Sequence, residues 1–79
     1  MRGLVLVKQE KQTTGLAYVQ SFHEAVRRIE GVVDAYPVYG RFDDVVFLEA
    51  DDYRALLEQS GRVLQIPGVK STETLPERL

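Results

Sequence analysis

The side chains best suited to chemistry stand in one short segment, residues 39–44. This segment places a glycine and an arginine ahead of two adjacent carboxylates: Tyr39, Gly40, Arg41, Phe42, Asp43 and Asp44. Aspartate and glycine are also the residues that tight turns favour, so turn formation alone would account for them. A glycine turn can, however, let backbone N–H groups approach an anionic ligand. The segment is therefore a candidate binding loop, and the two explanations are compatible.

Two hydroxyls near the end of the chain form a second candidate group. Thr72 and Thr74 are two residues apart, so on a strand they would share one face. β-branched residues on an edge strand are the simplest explanation for them. Their hydroxyls could equally bond a ligand, and the sequence leaves both interpretations open.

No catalytic or metal centre is expected. The chain has no cysteine and one histidine, which excludes disulfides and thiolate metal sites. His23 would need a nucleophile and an orienting acid beside it, and no such motif is present. We expect His23 to lie at the boundary of a helix's apolar face, and we expect no cofactor.

The elements that must position these residues follow from hydrophobic periodicity. Apolar runs rich in β-branched residues predict strands, and apolar residues three to four apart predict a helix. Strands are predicted at 4–7, 32–39, 45–48 and 69–75, and helices at 15–30 and from Asp51-Asp52 to Pro67-Gly68. This order is that of an α+β, ferredoxin-like split β-α-β fold (βαββαβ), with an antiparallel sheet ordered 4-1-3-2.

Single residues refine these predictions. Thr13 or Thr14 can cap the first helix, and Gly31 stands where a glycine ends one. Pro37 places its strand at an edge of the sheet, because proline cannot donate to the ladder. Gly61 inside the second helix indicates a close contact or an irregular turn. Ile29-Glu30-Gly31-Val32 and Ile66-Pro67-Gly68-Val69 form a weak internal repeat.

The predicted sheet has an apolar face that nothing in the chain covers. Both helices of this fold lie on one side, yet residues 4–7 and 45–48 place apolar side chains on both sides. An uncovered apolar face is an interaction surface, and a chain of 79 residues without disulfides gains stability from oligomerisation. We therefore expect a homodimer packed sheet to sheet. A lysine at Val5 or Leu6, whichever faces the partner, should break it.

The composition limits other functions. The formal net charge is −2 and the basic residues are scattered, so we expect no direct binding to nucleic acid. No apolar run reaches the roughly 18 residues that span a bilayer, and no signal-peptide cleavage site follows the apolar N-terminal segment. We expect one domain over residues 1–79, in the cytoplasm and without membrane contact.

The spacing of these motifs resembles the effector-binding (RAM) domain of the Lrp/AsnC transcription regulators over about residues 4–75. The resemblance rests on Ile29-x-Gly31-Val32, Tyr39-Gly40-Arg41-Phe42-Asp43, an apolar strand, an Asp-initiated helix and Ile66-Pro67-Gly68-Val69-x-x-Thr72-x-Thr74. Full-length members carry an N-terminal helix-turn-helix domain that this sequence lacks. It is therefore similar to the stand-alone version of the module.

The resemblance implies dimers formed through the sheets, often assembled into rings of four dimers. It also implies that a free amino acid binds between dimers, near the G-x-x-D loop and the last strand. The implied site comprises Tyr39, Gly40, Arg41, Phe42, Asp43, Thr72 and Thr74, with Asp43 near the ligand's ammonium group. Asp44 replaces the hydrophobic residue more usual in the family, which would alter specificity or place a carboxylate in water.

Three functions are compatible with these features. The favoured one is a non-enzymatic amino-acid-binding oligomer that senses a metabolite and acts with full-length Lrp/AsnC regulators. The alternative is a small dimeric α/β-barrel enzyme, of the cofactor-free oxygenase or isomerase type, which shares the fold. Such an enzyme needs a polar pocket between sheet and helices, where this sequence predicts apolar packing. The third is a purely structural oligomerisation domain.

Overall fold

Four strands and two helices follow one another in the predicted order. The computed structural model describes residues 1–10 and 16–78, so the predicted cap at Thr13 or Thr14 lies outside the described residues. The elements are β1 (Arg2–Gln9), α1 (Leu16–Arg27), β2 (Val32–Pro37), β3 (Asp44–Glu49), α2 (Tyr53–Leu64) and β4 (Val69–Pro76). Within the described residues, no helix is long and apolar enough to cross a bilayer.

The sheet has the predicted topology. Its order is β2-β3-β1-β4, which is 4-1-3-2 read in reverse, and every pairing is antiparallel. The two continuous apolar strands, β1 and β3, form the central pair, with Val5 opposite Val46. Strand β2 lies at an edge and ends at Pro37, two residues before its predicted end. The ferredoxin-like fold is thereby confirmed.

The core fills the layer between the sheet and the two helices. Alternate residues of the central strands point into this layer, where α1 and α2 cover them. Eight apolar side chains are at most 1 % exposed: Val5, Val7, Val46 and Leu48 from the sheet, Phe22 and Val26 from α1, and Leu56 and Val63 from α2. Each such side chain contributes about 1.5–3 kcal/mol on removal from water.

Each helix is followed by a turn that contains a glycine with positive φ. Gly31 has a φ of +96° and Gly68 a φ of +93°, a conformation that side chains with a Cβ rarely adopt. The Gln59 side chain of α2 packs directly over Gly31, and the Tyr18 ring of α1 packs directly over Gly68. The weak sequence repeat thus corresponds to a structural repeat in which each helix covers the glycine that follows the other helix.

Helix α2 begins as predicted but continues through Gly61. Asp52 is the N-cap residue, and its Oδ1 accepts a hydrogen bond from the Ala55 N–H at 2.8 Å. A Cβ built at Gly61 would meet no atom within 4 Å, and the helix is regular there. Both interpretations of Gly61, a close contact and an irregular turn, are therefore wrong.

The opposite face of the sheet carries exposed apolar side chains, as predicted. Leu4 and Leu6 of β1 are half-buried on this open face, whereas Val5 lies in the core. Tyr36 and Phe47 stack at a centroid distance of 5.7 Å beside them. A groove of about 660 Å³ runs across one end of the face, with Leu4, Phe47 and Leu75 among its lining. The side chain for the proposed dimer test is therefore Leu6 and not Val5.

Candidate functional site

The candidate loop is held against the carboxyl end of β1. The Asp43 N–H donates to the Val7 carbonyl at 2.8 Å, and the Val38 N–H donates to the Asp43 carbonyl at 3.0 Å. These two bonds close the connection between β2 and β3 and fix where Asp43 stands. The first bond anchors Asp43 to β1, and the second joins the two ends of the loop.

Asp43 presents a half-buried carboxylate. Its Oδ2 accepts the backbone N–H of Gln9 at 2.8 Å, and the Lys8 ammonium lies 3.9 Å away from the same oxygen. The Gln9 N–H lies where the pairing of β1 with β4 shifts register, between Lys8 and Gln9. Asp43 therefore has a structural role, satisfying a backbone donor, in addition to the charge that it presents.

Asp44 is buried, so of the two alternatives for this residue, altered specificity or a carboxylate in water, the second is wrong. Its residue exposure is 1 %, and its Oδ2 accepts a hydrogen bond from the Gln9 side-chain amide. Its Oδ1 lies 3.2 Å from His23 Nε2. Burial raises the pKa of Asp44 and the charge of Asp43 raises it further, whereas the hydrogen bond and charge of His23 lower it.

His23 lies at the boundary of the apolar face of α1, as predicted. Its partner Asp44 was not predicted from the sequence. Its side chain is 17 % exposed, and its ring lies 5.7 Å from that of Phe22. Through His23, helix α1 is tied to the first residue of β3. The polar cluster formed by Gln9, His23 and Asp44 thus joins three elements at one end of the sheet.

Two features of this cluster, the role of Gln9 and the burial of Asp44, were not predicted from the sequence. Strand alternation could have found both, because Gln9 continues the inward series of Val5 and Val7. Asp44 likewise shares its parity with the inward Val46 and Leu48. A polar residue at the inward end of such a series marks a buried polar site.

A cavity of about 350 Å³ opens beside this cluster. It is lined by Gln9, Val19, Pro37, Val38, Tyr39, Asp43 and Asp44. Burial raises the pKa of Tyr18 nearby, and the charges of Asp44 and Asp43 raise it further. The arrangement suits a positively charged group. Within the described residues, no three His, Asp or Glu side chains come together to hold a metal ion.

Three other predicted loop residues lie outside the cavity lining. Gly40 has a φ of +117° and open space around it, Arg41 is exposed, and Phe42 is half-buried. Tyr39 lines the cavity and is otherwise fully exposed. The loop tip is thus accessible to a ligand or to another chain.

Thr72 and Thr74 do not meet the loop within one chain. They pair with Val7 and Val5, so they share the helix-facing side of β4. The Thr74 hydroxyl is hydrogen-bonded to the Ser60 hydroxyl of α2. Strand β1 separates β4 from β3, a distance of about 10 Å for two strand spacings. A site that combines the loop with these threonines would have to include a second copy.

Comparison with known proteins identifies a family and several structural matches. The family model of the Lrp/AsnC ligand binding domain matches residues 4–76. The protein TTHA0845 from Thermus thermophilus is 28 % identical, with a TM-score of 0.79, and the match covers 99 % of this chain and 94 % of that one. No curated protein sequence matches the chain significantly.

Two regulators share the fold at lower identity. An AsnC family transcriptional regulator from Agrobacterium tumefaciens is 16 % identical, with a TM-score of 0.77. A transcriptional regulator from Neisseria meningitidis, solved as an L-Met complex, is 18 % identical, with a TM-score of 0.75. Each match covers 92 % of this chain and 46 % of the regulator, so the chain corresponds to about half of either one.

Proposed function

Because this chain belongs to the Lrp/AsnC ligand-binding domain family, we propose that it is a single, non-enzymatic domain that binds a free amino acid. The observation that carries the proposal is the acidic cavity beside the loop, where the carboxylate of Asp43 is held in place by the Gln9 N–H. The complex of the Neisseria meningitidis regulator with L-Met supports this class of ligand.

The two charges of an amino acid would meet two parts of the loop. Asp43 takes the ammonium group through a charge-assisted hydrogen bond. Backbone N–H groups around Gly40, together with Arg41, take the carboxylate. Tyr39 and Phe42 border the ligand, whose side chain enters the cavity. Thr72 and Thr74 contact it only from the edge strand of a neighbouring copy.

The proposal includes a homodimer formed through the open face, with further assembly into a tetramer of dimers as the family resemblance implies. Exposed Tyr36 and Leu75 and half-buried Leu4 would be covered in the dimer. Removal of such apolar surface from water favours association by about 25 cal/mol per Å². The partners would be further copies and full-length Lrp/AsnC regulators, without direct contact to nucleic acid.

We favour binding over the alternative of a small α/β-barrel enzyme. Such an enzyme needs a polar pocket with catalytic groups between sheet and helices. Here eight buried apolar side chains fill most of that layer, and we assign the polar cavity beside α1 to ligand binding. The His23–Asp44 pair is the one feature that an enzyme would share. Asp44 lines the cavity and His23 lies behind it, bonded to Asp44, and among the described residues we assign no nucleophile to the pair.

A thermal-shift screen against the twenty amino acids tests the proposal. A ligand that binds only the folded state raises the midpoint temperature of unfolding. At a ligand concentration of 100 times Kd, the free energy of unfolding rises by about 2.7 kcal/mol. At least one amino acid should shift the midpoint, and calorimetry should give its stoichiometry per chain. If no amino acid binds at millimolar concentration, the structural oligomerisation function replaces this one. Turnover of an amino acid would instead support the enzyme.

A further inference from the structure

We infer that Asp44 is the specificity-determining residue of the cavity and that it selects an amino acid with a cationic side chain, such as lysine or arginine. The inference rests on the proposed function, since it concerns the ligand of the same cavity. It follows from the charges that line the cavity, from the depth of each charge, and from the shape of the remaining wall.

Among the described residues, the lining carries two carboxylates and no lysine or arginine. The described bases closest to these acids are Lys8, 3.9 Å from Asp43 Oδ2, and His23, 3.2 Å from Asp44 Oδ1. Neither is among the residues that line the cavity. A ligand with one positive charge can form an ion pair with one carboxylate, whereas a ligand with two positive charges can pair with both.

The two carboxylates lie at different depths. The Asp43 side chain is 34 % exposed, and that of Asp44 is 2 % exposed. Asp43 is therefore suited to the ammonium group at the mouth, and Asp44 to a group that reaches the inner wall. A carboxylate accepts about four hydrogen bonds. Within the described residues, Gln9 and His23 provide one each, so Asp44 retains acceptor capacity.

The rest of the wall suits a long aliphatic stem. Val19, Pro37 and Val38 supply apolar surface, which the methylene groups of lysine or arginine can cover while the charge lies at the polar end. The exposed ring of Tyr39 at the mouth can add a cation–π contact. An acidic ligand would bring a third negative charge to the same cavity and would be excluded.

The test compares ligands that differ in the cationic group at the end of the side chain. Calorimetry on the full chain would measure L-lysine against L-norleucine, and L-arginine against L-citrulline. A hydrogen bond between charged groups in a buried setting should make lysine bind roughly tenfold to a hundredfold more tightly than norleucine. In Asp44→Asn the ratio of the two affinities should fall to near one. The amide oxygen of the introduced asparagine can still accept from Gln9, and a thermal melt confirms folding.

Glu24→Gln provides the matched control. Glu24 is an exposed acid of α1 next to His23 and does not line the cavity. This variant removes the same charge from the same region, so it should keep the preference for lysine. An equal loss in both variants would assign the effect to the overall charge and overturn the role of Asp44.

Two further outcomes separate the inference from the function on which it rests. If norleucine or another neutral amino acid binds the parent chain as tightly as lysine, the inference is wrong and the proposed function stands. If no amino acid binds the parent chain at all, the proposed function fails first and the inference fails with it.

Discussion

Asp43 has a structural role and a proposed binding role, and two substitutions can separate them. Replacement by alanine removes the counter-charge for the ligand's ammonium group and also leaves the backbone N–H of Gln9 without its acceptor. Replacement by asparagine removes the charge but keeps an oxygen for that N–H. Asp43→Asn should therefore isolate the binding role, and the difference between the two variants should isolate the structural one.

The magnitudes follow from the two hydrogen bonds. Loss of a bond to a charged group costs about 1.5–3 kcal/mol, so in both variants amino-acid affinity should fall roughly tenfold to a hundredfold. An orphaned, partly buried N–H costs about 1–3 kcal/mol, so only Asp43→Ala should lose stability on that scale. At about 0.05–0.15 kcal/mol per residue, the whole domain has about 4–12 kcal/mol, and the variant stays folded.

Calorimetry with the ligand found in the screen gives the affinities, and urea unfolding without ligand gives the stabilities. If Asp43→Asn binds as tightly as the parent chain, Asp43 is not the counter-charge. If both variants unfold at the same urea concentration, the bond to Gln9 contributes nothing measurable and the loop is held by its backbone bonds alone.

Three further predictions concern assembly, helix stability and pH. Leu6→Lys should convert the proposed dimer to a folded monomer in sedimentation, and a dimeric variant would exclude the open face as the interface. Val5→Lys should instead unfold the chain, because a charge would enter the core. Gly61→Ala should raise the free energy of unfolding by about 0.5–1 kcal/mol, since a methyl group there meets open space, and a loss would show an unseen contact. The pKa of Asp44 is raised in the folded chain, so its carboxyl group binds a proton more tightly there than in the unfolded chain. The stability of the parent relative to Asp44→Asn should therefore be greatest below pH 3.8 and fall as the pH rises through the folded-state pKa, and urea melts with no such trend would contradict it.

The fold could be predicted because its signals are local. The apolar runs of β1 and β3, the cap at Asp52 and the glycine at position 31 each depend on neighbours a few residues away. Helix α1 ends at Arg27, three residues before its predicted end, and the reason is local. Arg28 and Ile29 continue the helix with bonds to the third residue back, which tightens the last turn.

The candidate site could be predicted only in part, because its partners are distant in the chain. Gln9 and Asp44 are 35 residues apart and His23 and Asp44 are 21 apart, so no local pattern joins them. Strand alternation could have revealed that Asp44 is buried, but it could not have revealed its partners, because tertiary packing brings them together. The bond between Thr74 and Ser60 is hidden for the same reason. The loop itself was found because its residue types are concentrated in one short segment.

The reciprocal covering of Gly31 and Gly68 has a consequence for how the chain unfolds. The turn after α1 is completed by Gln59 of the second half, and the turn after α2 by Tyr18 of the first half. A β-α-β half that is separated from the other therefore lacks the side chain that packs over the glycine turn after its helix. Because each turn is packed by a side chain of the other half, we expect the two halves to unfold as one cooperative unit. Amide hydrogen exchange should reach the same limiting protection in both halves, and a fragment holding either half alone should not fold.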